Sequence, residues 1–381
     1  MPGRQRIRRA LTSALAAVLA TLVAATSAEP ATRARQAATR GQATPRAQAA
    51  AKAAPKARAT RTATATRKKT PARASAAASK SRTSSAARRR AVARARAAAR
   101  AREARELATP RFKLDDAGQE VPAPRAAAAV IYDPETNQVL FEENAQELRS
   151  IASITKVMTA LVFLESMPDL SQVVKVERAD VLRANTTYLR TGYQVTADDL
   201  LHLTLIGSDN AAARVLARIS PYGTDGFIER MNAKARELGL ELTHYEDTSG
   251  LMSANVSSAF EMARLIAYAA ADERIGSIMR KTGYDMAVGR RSVHVNSTNR
   301  LVRSGELDVI GGKTGFISSS GYCLATLVRL PQTGRQVAVV VLGARSNAGR
   351  FAETKHLFNW LSGHMTTATT TVATGQQLQQ Q

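Results

Sequence analysis

One cysteine in 381 residues leaves no partner for an internal disulfide. Any folded part must therefore stand on packing alone. That residue, Cys323, lies in the apolar, strand-like run Gly321-Tyr322-Cys323-Leu324-Ala325. A small buried side chain is a better reading there than a reactive thiol. Aromatic residues make up 4% of the chain, and none falls between residues 29 and 107. That gap removes the stacking surfaces of single-strand nucleic-acid binders, so no nucleic acid is expected as a partner. No run reaches the roughly 20 apolar residues of a spanning helix. His202, His244, His294, His356 and His364 show neither H-x-x-x-H nor H-E-x-x-H spacing. A metal site is therefore not expected, and neither is a cofactor.

Acidic residues are scarce at one end only. Residues 1–110 hold 26 Lys+Arg against 3 Asp+Glu, whereas residues 111–381 hold 28 of each. The formal charge of +23 belongs to the N-terminal segment, and the remainder is a neutral globular chain. Arg4, Arg6, Arg8 and Arg9 precede an uncharged run over 10–25, followed by Thr26-Ser27-Ala28. This is the pattern of a secretory leader over residues 1–28, which leaves no membrane anchor after cleavage; an uncleaved anchor is the other reading. Residues 29–123 form a basic segment rich in Ala and Arg that cannot bury enough apolar surface to order itself. Its stretch Ala86 to Leu107 is rich in helix formers and is expected to be transiently helical. Charge runs are usually just solvated, which favours a tether; the alternative is an electrostatic arm toward anionic envelope polymers.

Globular patterning begins after Pro124 and is expected to run to residue 365, with a loose Thr- and Gln-rich tail over 366–381. Ala126 to Tyr132 and Gln138 to Glu142 read as a hairpin about Asp133-Pro134-Glu135-Thr136-Asn137. Ile151 to Glu165 reads as an apolar helix. From Thr196 to about Lys281 the pattern is mostly helical, with an N-cap at Thr196 and a stop at Gly239. Strands return at Val309–Ile317, Tyr322–Leu330 and Gln336–Leu342, and a helix over Ala348–Leu361 closes the domain. The order predicts an α/β fold: an antiparallel sheet flanked by helices, plus a mostly helical lobe.

Three short motifs sit on these elements. Ser153 and Lys156, three apart at the start of a helix, share a face, so the amine can reach the hydroxyl. Free N–H groups at that helix start favour an oxyanion. Lys156 is flanked by Val157, Met158, Ala160, Leu161, Val162 and Leu164, and a buried lysine is costly without a task. To act as a base it must be neutral. Desolvation and a second cation both lower a lysine pKa, and Lys313 is the candidate for that cation. Ser208-Asp209-Asn210 follows the apolar stretch Leu200 to Ile206. Read alone it is an ordinary turn or cap. Read with the others, Ser208 is a proton relay between the two amines, and Asn210 orients Lys156 and bonds a substrate amide. In Lys313-Thr314-Gly315 the first two residues can bind a carboxylate, and the glycine lets another backbone lie close. The N–H of Phe316 would be a second oxyanion donor beside that of Ser153, and one such donor is worth ~3–4 kcal/mol. The motifs stand 55 and 105 residues apart.

In this order they spell S-x-x-K, S-x-N and K-T-G, and the chain resembles the low-molecular-mass penicillin-binding D-alanyl-D-alanine peptidases. Further matching stretches are Met231-Asn232-Ala233-Lys234-Ala235, Thr248-Ser249-Gly250-Leu251 and Asn296-Ser297-Thr298-Asn299. The Gly321-Tyr322-Cys323-Leu324 run and the short C-terminus are most similar to the endopeptidase branch, penicillin-binding protein seven. The resemblance covers roughly 124–362. It implies a serine β-lactamase/penicillin-binding-protein-like fold, a Ser153 acyl-enzyme, a periplasmic location, peptidoglycan as the partner and β-lactams as covalent inhibitors. It implies a serine-type endopeptidase acting on cross-links, with a carboxypeptidase as the alternative. A β-lactamase is the next reading. The E-x-x-L-N glutamate that fast deacylation needs has no match here, although Glu246 and Asp247 are nearby carboxylates. A non-enzymatic envelope-binding protein comes last.

Overall fold

The computed structural model describes residues 73–378. The expected leader, the first part of the basic segment and the last three residues lie outside that range. Five antiparallel strands form the central sheet: β1 (Ala128–Asp133), β2 (Gln138–Glu143), β3 (Asp308–Ile317), β4 (Gly321–Arg329) and β5 (Gln336–Ala344), in the order β3-β4-β5-β1-β2. Strands β1, β4 and β5 read as almost unbroken apolar runs because both faces of the sheet are covered. Along β1 the side chains alternate: Ala128, Val130 and Tyr132 enter one core, Ala129 and Ile131 the other. Helix α6 (Ala259–Ala271) covers the first face and helix α7 (Asn347–Leu378) the second.

Helix α2 (Thr155–Glu165) runs through the first core with ten of its eleven residues buried, Lys156 included. Full burial of a large aliphatic side chain is worth roughly 1.5–3 kcal/mol, and Val157, Met158, Leu161, Val162 and Leu164 all contribute. The helical lobe holds α3 (Ala197–Leu205), α4 (Asn210–Ile219) and α5 (Gly223–Glu237). Thr196 caps α3 as expected: its hydroxyl accepts the Asp199 N–H at 3.0 Å, and the Asp199 carboxylate accepts the Thr196 N–H at 2.8 Å.

Regular structure extends beyond the expected bounds at both ends of the domain. Within the segment expected to be disordered, α1 spans Arg73–Ala108. Ala and Arg rank high as helix formers, and no Gly or Pro interrupts the run between Pro71 and Pro110. Over residues 87–106 every side chain is exposed, so this helix rests on propensity rather than on a core. The segment then enters the fold before Pro124, through the hairpin Phe112–Leu114 and Glu120–Pro122. At the other end α7 continues through the expected tail to Leu378.

Candidate active site

Ser153 sits in a single 3₁₀ turn, Ala152–Ile154, directly ahead of α2. Ala152 is held at φ +47, a left-handed conformation that a Cβ disfavours. Two glycines press on this turn. A Cβ on Gly315 of β3 would lie 2.7 Å from the Ile151 carbonyl oxygen and 3.2 Å from the Ser153 nitrogen. A Cβ on Gly250 would lie 2.0 Å from the Ala152 oxygen. Both positions need glycine because two backbones meet the nucleophile turn there.

Lys156 Nζ lies 2.9 Å from Ser153 Oγ and 2.6 Å from Asn210 Oδ1, and it also donates to the Ser249 carbonyl. The orientation of the Asn210 amide is set by its NH₂, which donates to the Ala184 carbonyl at 2.7 Å. Asn210 Oδ1 and Ser249 O can only accept. A neutral Lys156 therefore spends both N–H groups on them and has its lone pair left for Ser153. Complete burial lowers its pKa to about 7; Asp247 and Asp209 pull it back upward, and Arg214 pushes it down. The repulsion expected between the two lysines falls on Lys313, whose pKa burial, then Lys156 and then Arg350 drive well down.

Ser208 stands at φ +56, and its hydroxyl accepts from Lys313 Nζ at 2.8 Å. Its amine partner is thus Lys313, while Lys156 is bonded to Ser153, Asn210 and Ser249. Asp209 fixes this loop. It caps α4 by accepting from Ala212 N–H at 2.9 Å, and its other oxygen accepts from Thr187 Oγ1 at 3.0 Å and Tyr188 N–H at 2.6 Å. Lys313 Nζ also donates to the Thr314 carbonyl at 2.9 Å. Thr314 Oγ1 donates to Thr298 Oγ1 at 2.7 Å.

These residues line a cleft of about 500 Å³, walled by Ser153, Ser208, Asn210, Thr314, Gly315 and Phe316, with Lys156 and Lys313 buried behind it. All eight residues singled out in the sequence come together. Others in the wall were missed. Arg350 reaches in from α7 and donates to the carbonyls of Gly315 at 2.9 Å and Cys323 at 3.1 Å. Its guanidinium lies 5.6 Å from the Tyr322 ring, on which Phe316 stacks at 4.2 Å. No short pattern marks Arg350. Thr298 and Leu251, by contrast, lie in stretches that already carried the family resemblance. None of the cleft-lining residues is Asp or Glu. Of the two nearby carboxylates, Glu246 pairs with His244 at 2.8 Å on the surface, and Asp247 is engaged by its own loop.

Comparison with known proteins finds similarity over the region that holds the eight residues. The family model described as D-alanyl-D-alanine carboxypeptidase, Peptidase S11, matches residues 116–346. A D-alanyl-D-alanine endopeptidase from Haemophilus influenzae is 33% identical over 232 residues, covering 60% of this chain and 80% of that protein. One from Pseudomonas aeruginosa is 32% identical over 259 residues, 67% of this chain and 83% of the other. The solved structure of the Streptomyces K15 DD-transpeptidase aligns with a TM-score of 0.58 at 26% identity, over 63% of this chain and 97% of that one.

Proposed function

The chain belongs to the D-alanyl-D-alanine carboxypeptidase family of serine peptidases, and from that membership we propose that it cleaves D-alanyl bonds of peptidoglycan peptides, as an endopeptidase on cross-links. The endopeptidase preference is supported by the names of its relatives from Haemophilus influenzae and Pseudomonas aeruginosa. One observation carries the chemistry: Lys156 Nζ lies 2.9 Å from Ser153 Oγ, with its other bonds on carbonyl acceptors. Neutral Lys156 takes the Ser153 proton as Oγ bonds to the D-alanyl carbonyl carbon. The N–H groups of Ser153 and Phe316 hold the oxyanion. Lys313 and Thr314 hold a carboxylate on the leaving side. Ser208 passes a proton to the departing amine as the C–N bond breaks and takes one from Lys313 Nζ, bonded to it at 2.8 Å. Water then attacks the ester, its proton restoring Lys313 through Ser208, while Lys156 returns its proton to Ser153 Oγ and frees the serine.

The same steps serve a carboxypeptidase, and the products separate the two. Incubation with defined cross-linked muropeptides, read by mass, should yield separated stems from an endopeptidase and loss of a terminal D-alanine from a carboxypeptidase. A labelled penicillin should mark the wild type and leave Ser153→Ala unmarked; equal marking of both would refute the Ser153 assignment. A β-lactamase is disfavoured by the lack of a carboxylate in the cleft wall. The leader pattern at residues 1–28 supports a periplasmic location. The exposed arginines of α1 support contact with anionic envelope polymers.

A further inference from the structure

The loop Asp247–Met252 forms a wall of the nucleophile turn, and one carboxylate organises it. Asp247 Oδ1 accepts from the N–H of Gly250 at 3.0 Å and of Met252 at 3.4 Å. Its Oδ2 accepts from the N–H of Ser249 at 3.2 Å, the N–H of Leu251 at 3.2 Å and the Ser249 hydroxyl. The loop is tied to α2 at two further points. Thr159 Oγ1 donates to the Thr248 carbonyl at 2.6 Å, and the Asn255 amide bridges the Asp247 carbonyl and Thr155 Oγ1, each at 2.9 Å. So fixed, the loop aims the Ser249 carbonyl at Lys156 Nζ.

We propose that Asp247 is a positioning residue for Lys156, holding the Ser249 carbonyl against the amine and thereby keeping the Lys156 lone pair on Ser153. The inference rests on the reading of Lys156 as the base. Two effects follow from one side chain. If the carbonyl drifts, the amine is free to turn its lone pair away, and the reacting atoms lose their alignment. The negative charge also acts on the amine directly. The charged groups facing Lys156 are Asp247, Asp209 and Arg214, with Lys313 across the cleft; Asp247 is the strongest of the groups that favour the protonated form. Its removal therefore drives Lys156 further toward neutrality at low pH, while loosening its aim.

The test is the acylation rate of the full chain by a fluorescent penicillin from pH 5 to 9, for wild type, Asp247→Asn and Asp247→Glu, with melting temperatures alongside. Asp247→Asn should lower the plateau rate roughly tenfold or more and move the acid limb down by roughly half a pH unit or more. Asp247→Glu keeps the charge, so its limb should return to the wild-type position while its rate stays reduced. A loop that merely supports the fold would lower stability and leave the limb in place. A wild-type acid limb in Asp247→Asn would overturn the proposal, as would a full wild-type rate in Asp247→Glu if Asp247→Asn does not fold. Failure of the wild type itself to acylate at Ser153 would instead count against the base reading.

Discussion

The α-carbon of Gly315 faces the Ile151 carbonyl so closely that an added Cβ would stand 2.7 Å from that oxygen. The third motif therefore sets the position of the first by contact between two backbones. Gly315→Ala must push β3 away from the nucleophile turn. Misplacement by about 1 Å costs on the order of 10²-fold in rate, so penicillin acylation of this variant should fall about that far. Circular dichroism should show the sheet intact; full acylation would mean that the two backbones can part without consequence.

Lys156 gives the reaction its pH dependence. With its pKa lowered to about 7, the neutral fraction, and with it acylation, should fall about tenfold per unit below pH 7. A flat profile from pH 5 to 8 would contradict this.

The same burial acts on stability. Between about pH 7 and 10.5 the unfolded chain binds a proton at Lys156 that the native chain lacks. Stability therefore rises with pH through that window, and the penalty is full only below it. The Lys156→Met variant has no such penalty. Its stability difference from wild type should shrink by a few kcal/mol as the pH climbs from 7 toward 10. Denaturant titrations at the two pH values check the sign.

Ser208 combines strain with function. A non-glycine residue in the left-handed region costs roughly 1–2 kcal/mol, partly offset in glycine by its greater unfolded-state entropy. Ser208→Gly should be about 1 kcal/mol more stable than Ser208→Ala. Both lose the hydroxyl bonded to Lys313, so both should lose activity to the same degree. A difference in activity between them would point to the backbone rather than the relay.

A cephalosporin should acylate one equivalent of enzyme and then stall, because its cleaved amine stays attached to the acyl group in the path of water, and no Asp or Glu among the cleft-lining residues offers a second base. Continuous turnover in a chromogenic assay would reopen the β-lactamase reading.

What could be read beforehand was what is written contiguously. Ser153 with Lys156, Ser208 with Asn210, and Lys313 with Gly315 are each neighbours in sequence, and helix or strand periodicity shows which way they face. Asp247 and Arg350 act through backbone carbonyls, of Ser249 in one case and of Gly315 and Cys323 in the other. A carbonyl carries no side-chain signature, so no pattern announces it. The bond from Lys156 to the Ser249 carbonyl is equally invisible in residue identities, whereas that from Lys313 to Ser208 joins two side chains of the motifs. Helix α1 begins at Arg73, ahead of the helix expected from Ala86, because a composition that forbids a core does not forbid a helix.

The reacting groups come from separate pieces of the chain: Ser153 and Lys156 from the turn and helix of the first core, Ser208 and Asn210 from the lobe, and Lys313 from the sheet. If the lobe swung away by even one side chain's length, Lys156 would lose the Asn210 oxygen and Lys313 its serine. One seam between lobe and sheet therefore governs both lysines at once, and the site is whole only while that seam stays shut.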